Sequence, residues 1–140
     1  MANSRGIEAL KGTWSYSSND NFDAFLKEFG VNKVLRTLAK TVKPRVIISE
    51  KDGKWGFRSE STINTTAIEF TPGVEFKDKG HDGEEYTSTI RFENGIWVQK
   101  IHYKNGKQVS VERLINDQDQ LQVNLQCGNV KAIEYYKRAA

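Results

Sequence analysis

Ten short stretches of strand-like alternation, interrupted once near the start by two helical segments, predict an all-β protein. The expected architecture is a ten-stranded antiparallel up-and-down barrel closed at one end by a short helix-turn-helix lid. Three observations carry this. Apolar residues recur at period two over most of the chain, Asp-Gly and Asn-Gly pairs punctuate the runs, and between Asn21 and Thr41 the period changes to three and four. So regular a meander favours closure over separate sheets, because closure removes exposed edges. The 140 residues read as one domain, 1–140, with the lid at 21–41 inside it. A chain of this length buries roughly 68–70% of its unfolded surface without needing staples.

The segment Gly12 to Ser18 alternates Trp14 and Tyr16 with small polar residues and reads as the first strand. Ser18, Asn19 and Asp20 then offer side-chain oxygens to exposed helix amides. Phe22, Phe25, Leu26 and Phe29 draw one apolar stripe along a first helix, and Gly30 ends it. Asn32 caps a second helix whose Val34, Leu35, Leu38 and Val42 share a face, and Pro44 forbids its extension. Both helices are too short to stand alone, so their stripes are expected to pack onto the barrel mouth or line a portal. From Arg45 onward, strands are expected at 45–50, 54–61, 65–70, 75–79, 85–92, 96–103, 107–115, 121–127 and 130–138. Lys51-Asp52-Gly53, Glu93-Asn94-Gly95 and Lys104-Asn105-Gly106 supply tight turns, with further turns at 116–120 and Gly128-Asn129.

The apolar fraction of 37% is modest, which fits either a partly filled interior or simply a polar surface. The net charge of +3 excludes little, but its distribution is uneven. Between Lys27 and Arg45 stand Lys27, Lys33, Arg36, Lys40, Lys43 and Arg45 against the single acid Glu28. Such a face is either merely solvated or drawn to an anionic membrane surface or ligand. No basic tract has the density of a nucleic-acid arm. Cys127 is alone, so no internal disulfide forms. The opening Met1 to Gly6 lacks the apolar run of a signal peptide, and no apolar segment is long enough for a membrane span. The expectation is a soluble cytoplasmic protein, with the nucleus as a second compartment. Asn64-Thr65-Thr66 has the form of a glycosylation acceptor but reads as chance in that setting.

Strand parity assigns the interior. Phe57, Ser59, Ser61 and Ile63 share one face, as do Trp97, Gln99, Ile101 and Tyr103, and Val109, Val111 and Arg113. Arg58, Glu60, Lys100, His102 and Glu112 stand opposite, in water. Strict alternation carries Arg113 inward, where an unpaired guanidinium is costly. A bulge at Arg113-Leu114-Ile115 would instead turn it outward and leave Leu114 inside. On the last strand Val130, Ala132, Glu134 and Tyr136 face one way, Lys131, Ile133, Tyr135 and Lys137 the other, and neither set is cleanly apolar. If the even set faces inward, Glu134 and Tyr136 can satisfy Arg113, either as a ligand site or as a buried ion pair with no ligand role.

Gly12-Thr13-Trp14, Asn21 through Lys27, Gly30-Val31, Lys43-Pro44, Gly73-Val74-Glu75-Phe76 and Tyr136-Lys137 follow one another at compatible spacing along essentially the whole chain. On these residues the sequence resembles the intracellular lipid-binding family of the calycin superfamily, the fatty-acid-binding and cellular retinoid-binding proteins. The resemblance implies a barrel that carries fatty acids or retinoids through cytoplasm. Family members that bind carboxylates commonly use an arginine on each of two strands together with a tyrosine. Carried over, Arg113 and Tyr136 fit that pattern, whereas Glu134 stands where the second arginine is usual.

Taken with strand parity, the resemblance implies a ligand site of Arg113, Tyr136 and Glu134, lined by Phe22, Leu26, Phe57, Ser59, Ile63, Trp97, Gln99 and Val111. Lys27, Lys33, Arg36 and Lys40 become the portal and membrane-contact residues, and no cofactor is implied. Glu134 leaves three modes open: it neutralises Arg113 and the ligand is neutral; it is protonated and donates; or it turns away while a carboxylate reaches Arg113. A long-chain fatty acid is the first expectation, because burial of its tail contributes about 0.8 kcal/mol per methylene. Transfer would run between membranes or partners, and the carrier is expected to be a monomer. A retinoid or another neutral hydrophobic ligand is the alternative that Glu134 favours, and a protein-interaction barrel without cargo is another.

An enzyme is not expected. His81 falls in a turn, His102 on an outward face and Cys127 at a strand end without a base. No phosphate loop, zinc spacing or nucleophile elbow is present. Aromatic residues on a sheet can imitate a single-strand nucleic-acid platform, but those assigned here mostly face inward, so no nucleic-acid partner is expected.

Overall fold

In a computed structural model, whose described residues are 6–80 and 83–139, the chain forms ten antiparallel strands in one sheet. The opening segment 1–5 and His81 lie outside those residues. In chain order the elements are β1 (Gly12–Asp20), α1 (Phe22–Phe29), α2 (Lys33–Ala39), β2 (Arg45–Lys51), β3 (Lys54–Glu60), β4 (Thr65–Phe70), β5 (Phe76–Lys79), β6 (Glu85–Glu93), β7 (Ile96–Tyr103), β8 (Gln108–Ile115), β9 (Leu121–Cys127) and β10 (Val130–Arg138). Every strand lies within two residues of its expected bounds. Asp52 and Gly53, like Asn94 and Gly95, take positive φ, as tight hairpins require.

The sheet runs β4-β3-β2-β1-β10-β9-β8-β7-β6-β5, so β1 pairs with β10 and brings the two ends of the meander together. Among the described residues no ladder joins β4 to β5. The barrel is therefore nearly closed, and the expectation that closure removes every edge is corrected there. Between these strands Phe70 and Phe76 stack with centroids 6.3 Å apart, and the Gly73 N–H donates to the Ile90 carbonyl at 2.8 Å.

Two local features were not read from the sequence. A short 3₁₀ turn at Ile7–Leu10 packs near β8, fully burying Leu10, whose carbonyl accepts the Trp14 indole N–H at 2.9 Å. β1 runs on to Asp20, with a bulge between Tyr16 and Ser18. Of the three candidate caps, Asn19 is the one used: its Oδ1 accepts the Phe22 N–H at 3.3 Å.

The lid helices differ in how they dock. α1 rests on β9 and β10 and buries Phe25, a burial that contributes about 1.5–3 kcal/mol. Its ends are tied to the barrel. Asn21 Nδ2 donates to the Lys131 carbonyl at 2.8 Å, and Lys107 Nζ donates to the Phe29 carbonyl while lying 5.3 Å from the Phe29 ring centroid. α2 has its expected cap, Asn32 Oδ1 accepting the Leu35 N–H at 2.9 Å, but it buries nothing. Val34, Leu35 and Leu38 remain 77%, 52% and 46% exposed, so of the two expectations for this stripe the packing on the barrel mouth does not hold. Leu35 and Leu38 overhang an open recess under the lid, which they line together with Tyr16, Ile63 and Glu134.

The core is a belt of large inward side chains. Trp14, Ile48, Ile90, Trp97 and Leu121 are almost wholly buried, and Phe57, Phe70 and Phe92 lie edge-on or tilted around Trp97 at 5.0–5.9 Å.

Candidate functional site

Strand alternation holds through β8 with no break in register: Trp97 pairs with Arg113 and Arg113 with Val123. Val109, Val111 and Ile115 are buried on the same face, so Arg113 points inward and the bulge alternative is removed. On β10, Ala132 and Tyr136 are buried while Lys131 and Lys137 are exposed, so the even face is the inner one. Glu134 therefore enters the barrel with Tyr136, as neighbours two residues apart on one strand.

A hydrogen-bonded chain fixes Arg113. Gln99, 6% exposed, accepts at Oε1 from Arg113 Nη1 at 3.0 Å and from Trp97 Nε1 at 3.2 Å. Its Nε2 donates to Ser88 Oγ at 3.1 Å, and that hydroxyl donates to the Lys100 carbonyl at 3.0 Å. The guanidinium also lies 4.4 Å from the Phe57 ring centroid and 5.1 Å from that of Trp97, in cation–π range. One buried cation is thus held by an amide and two aromatic faces.

The opposite side of the site is anionic and phenolic. The Glu134 carboxyl and the Tyr136 hydroxyl share that side, and the Tyr136 ring meets Tyr16 edge-on at 5.7 Å. Asn19 Nδ2 donates to Tyr16 Oη at 2.6 Å, linking this chain to the base of α1. Burial sets the protonation. It pushes the Glu134 carboxyl up to about 7 although Arg113 and the Tyr136 hydroxyl pull it down. Burial lowers Arg113 to about 10, partly offset by Tyr136 and Glu134, and it raises Tyr136. Among the described residues no direct ion pair joins Arg113 to Glu134, so each acts on the other across space.

Two recesses lead to this group. One, of about 590 Å³, lies under the lid, where Phe22, Leu26, Leu35 and Leu38 face Tyr16, Ile63 and Glu134. The other, of about 380 Å³, spans the unpaired β4 and β5 edges and is lined by Phe57, Ile68, Tyr86, Trp97, Gln99 and Arg113. The first ends on the carboxylate and the second on the guanidinium. Most of the wall is apolar, so a long hydrophobic body with one polar end matches the arrangement.

The sequence-derived residues fall into three groups. Arg113, Tyr136, Glu134, Trp97, Gln99, Phe57 and Val111 face the interior together, with Ser59 half-buried on the Phe57 face of β3. Phe22 and Leu26 line the lid-side recess. Ile63 is corrected: β3 ends at Glu60, and Ile63 sits 53% exposed in the following turn, where Ser61 Oγ receives the N–H groups of Ile63 and Asn64. It reaches the recess from the rim, and the inward row of β3 stops at Ser59.

Lys27, Lys33 and Lys40 are exposed on the lid, but Arg36 departs from that basic rim. Its side chain is only 16% exposed, with Nε 3.3 Å from Asp23 Oδ1 and Nη1 donating to the Val31 carbonyl at 2.7 Å, so it fastens α2 to α1. Ser88 and Tyr16 were missed. The parity of β6, with Ile90 and Phe92 inward, could have placed Ser88, whereas the β1 bulge and Asn19 give Tyr16 partners that alternation does not foretell.

Among the described residues no group of three potential metal ligands assembles, and no helix is long and apolar enough to cross a membrane. Cys127 is buried, and burial raises its thiol.

Comparison with known proteins fits this geometry. A human relative, fatty acid-binding protein 9, is 36% identical over 134 residues, covering 94% of this chain and 98% of its own. Fatty acid-binding protein homolog 1 of Echinococcus granulosus is 32% identical over 135 residues, and the crystal structure of that species' fatty-acid-binding protein 1 superposes with a TM-score of 0.88 over 96% of this chain and 100% of its own. The Schistosoma mansoni fatty acid binding protein in complex with arachidonic acid, 26% identical, also gives 0.88, over 96% of this chain and 99% of its own. The model of the lipocalin / cytosolic fatty-acid binding protein family matches residues 11–139, and to that family the chain belongs.

Proposed function

We propose that this protein is an intracellular carrier that binds a long-chain fatty acid inside the barrel and passes it between membranes or partners. The observation that carries the reading is a single guanidinium, Arg113, held by Gln99 at the end of apolar recesses. An acyl tail fills such walls at about 0.8 kcal/mol per methylene, and the polar end meets Arg113 and Tyr136. Relatives named as fatty acid-binding proteins support it.

Entry runs under the lid. α1 is bound to β9 and β10, whereas α2 hangs by Arg36 and leaves Leu35 and Leu38 over the recess, so local movement of α2 admits a tail without opening the barrel. Exposed Lys27, Lys33 and Lys40 draw the lid to an anionic bilayer, where Val34, Leu35 and Leu38 enter the interface. The protein works as a cytoplasmic monomer, with the nucleus open to it, and as a carrier instead of a catalyst. It takes no nucleic acid and no cofactor.

Glu134 supports a second reading, a retinoid or other neutral hydrophobic cargo, because it already faces Arg113 with an opposite charge. Native mass measurement before and after organic extraction, followed by titration of the extracted protein with fatty acids and retinol, separates the readings. A protein that carries no lipid and refuses the whole panel is no carrier and is better read as an interaction barrel.

A further inference from the structure

We infer that Glu134 makes the interior anchor select headgroups that come with a proton: a lipid alcohol or amide, which brings its own, or a carboxylate accompanied by one proton taken from solvent. This rests on the carrier reading above and specifies the chemistry of its cargo.

With Glu134 ionised, as it mostly is at about pH 8, the anchor is neutral before any ligand arrives. Arg113 on β8 supplies one positive charge, and Glu134 on β10 supplies one carboxylate, steadied by the Tyr136 hydroxyl. The other groups around Glu134 add no free cation. Its ladder neighbours are Asn19 on β1 and Val123 on β9, neither of which titrates. Tyr16 on β1 shares its recess and already accepts from Asn19. From the lid, Arg36 is committed to Asp23 and the Val31 carbonyl, and Lys40 is exposed to water.

A ligand polar end between the two recesses therefore meets a donor on one side and an acceptor on the other. A hydroxyl or amide satisfies both: its oxygen accepts from Arg113 and its O–H or N–H donates to Glu134. A carboxylate satisfies Arg113 but sets a second anion beside Glu134 in a site removed from water, with one guanidinium for two charges. A single proton, held between the two carboxyl groups as O–H···O, restores neutrality. The proton comes from solvent, and no bond to carbon is made or broken. Burial already predisposes Glu134 to accept it. A permanently ionised headgroup such as a sulfonate cannot be protonated, so Glu134 alone must take the proton when one binds.

Isothermal titration of the extracted full-length chain with hexadecanol, hexadecanoate and hexadecane sulfonate, each in two buffers of different ionisation heat, tests this directly. At about pH 8, sulfonate and hexadecanoate are expected to take up close to one proton per ligand bound, and hexadecanol none. Sulfonate affinity should fall roughly tenfold per pH unit above neutrality, while hexadecanol affinity stays level. Glu134→Gln, which keeps the side chain's size, should abolish sulfonate proton uptake and flatten its pH profile. Sulfonate binding to the wild-type chain without proton uptake, or an unchanged profile in Glu134→Gln, overturns the inference and leaves the carrier reading standing. If none of the three ligands binds, the carrier reading falls and this inference falls with it.

Discussion

The amide oxygen of Gln99 lies 3.0 Å from Nη1 of Arg113 and holds its guanidinium in the barrel interior beside Trp97. The same oxygen receives the Trp97 indole at 3.2 Å, so one side chain satisfies two buried donors. Gln99→Leu keeps much of the volume and strands both. It should cost about 2–4 kcal/mol in urea unfolding. A loss below about 0.5 kcal/mol would mean that water replaces the amide without penalty.

Glu134 gives a pH signature to stability. Its folded value of about 7 stands above the ordinary 4.5, so the fold disfavours the ionised form. Below 4.5 the group is protonated in both states and costs nothing. As pH rises from 4.5 to about 7 the unfolded state releases its proton first, and stability declines. Glu134→Gln lacks this decline, so its advantage over the wild type should grow across that window to on the order of 3 kcal/mol. Paired thermal melts through the window measure it, and parallel curves would show that Glu134 titrates normally.

The two lid helices should respond oppositely to truncation. Phe25→Ala empties a buried site on α1 and should cost about 3–5 kcal/mol. Leu35→Ser with Leu38→Ser alters half-exposed residues and should change stability by no more than about 0.5 kcal/mol. That double variant should nevertheless slow delivery of a fluorescent fatty acid to anionic vesicles. Unchanged transfer would remove α2 from the membrane step.

Lys107 fastens the end of α1 through the Phe29 carbonyl and the Phe29 ring. Lys107→Met removes the donor and keeps an apolar stem. Amide exchange at Gly30 and Val31, whose N–H groups close the helix onto Leu26, should accelerate while β7 and β8 keep their protection. Equal exchange in both proteins would assign the helix end to its own capping bonds.

Most of the strand framework could be read in the sequence, because Asp52-Gly53 and Asn94-Gly95 mark turns and the runs between them alternate. Alternation is a local signal, and it failed where a longer-range fact decided. Ile63 continues the parity of β3 only on paper, since the strand has already ended. Val34, Leu35 and Leu38 form a stripe, but a stripe does not say what lies opposite, and here it is open space. Arg36 looked like one more basic surface residue until α1 placed Asp23 beside it. Glu134 was ambiguous by parity and was resolved by β10 pairing on both sides, a property of the assembled sheet.

The missing ladder between β4 and β5 gives the barrel a seam. Around the rest of its circumference, girth is set by backbone hydrogen bonds that cannot lengthen without breaking in rows. Along the seam Phe70 of β4 stacks on Phe76 of β5, a contact worth about 0.5–1.5 kcal/mol. The wall there is therefore held by side-chain contact in place of paired strands, and it is the place where the barrel can widen with every strand ladder intact.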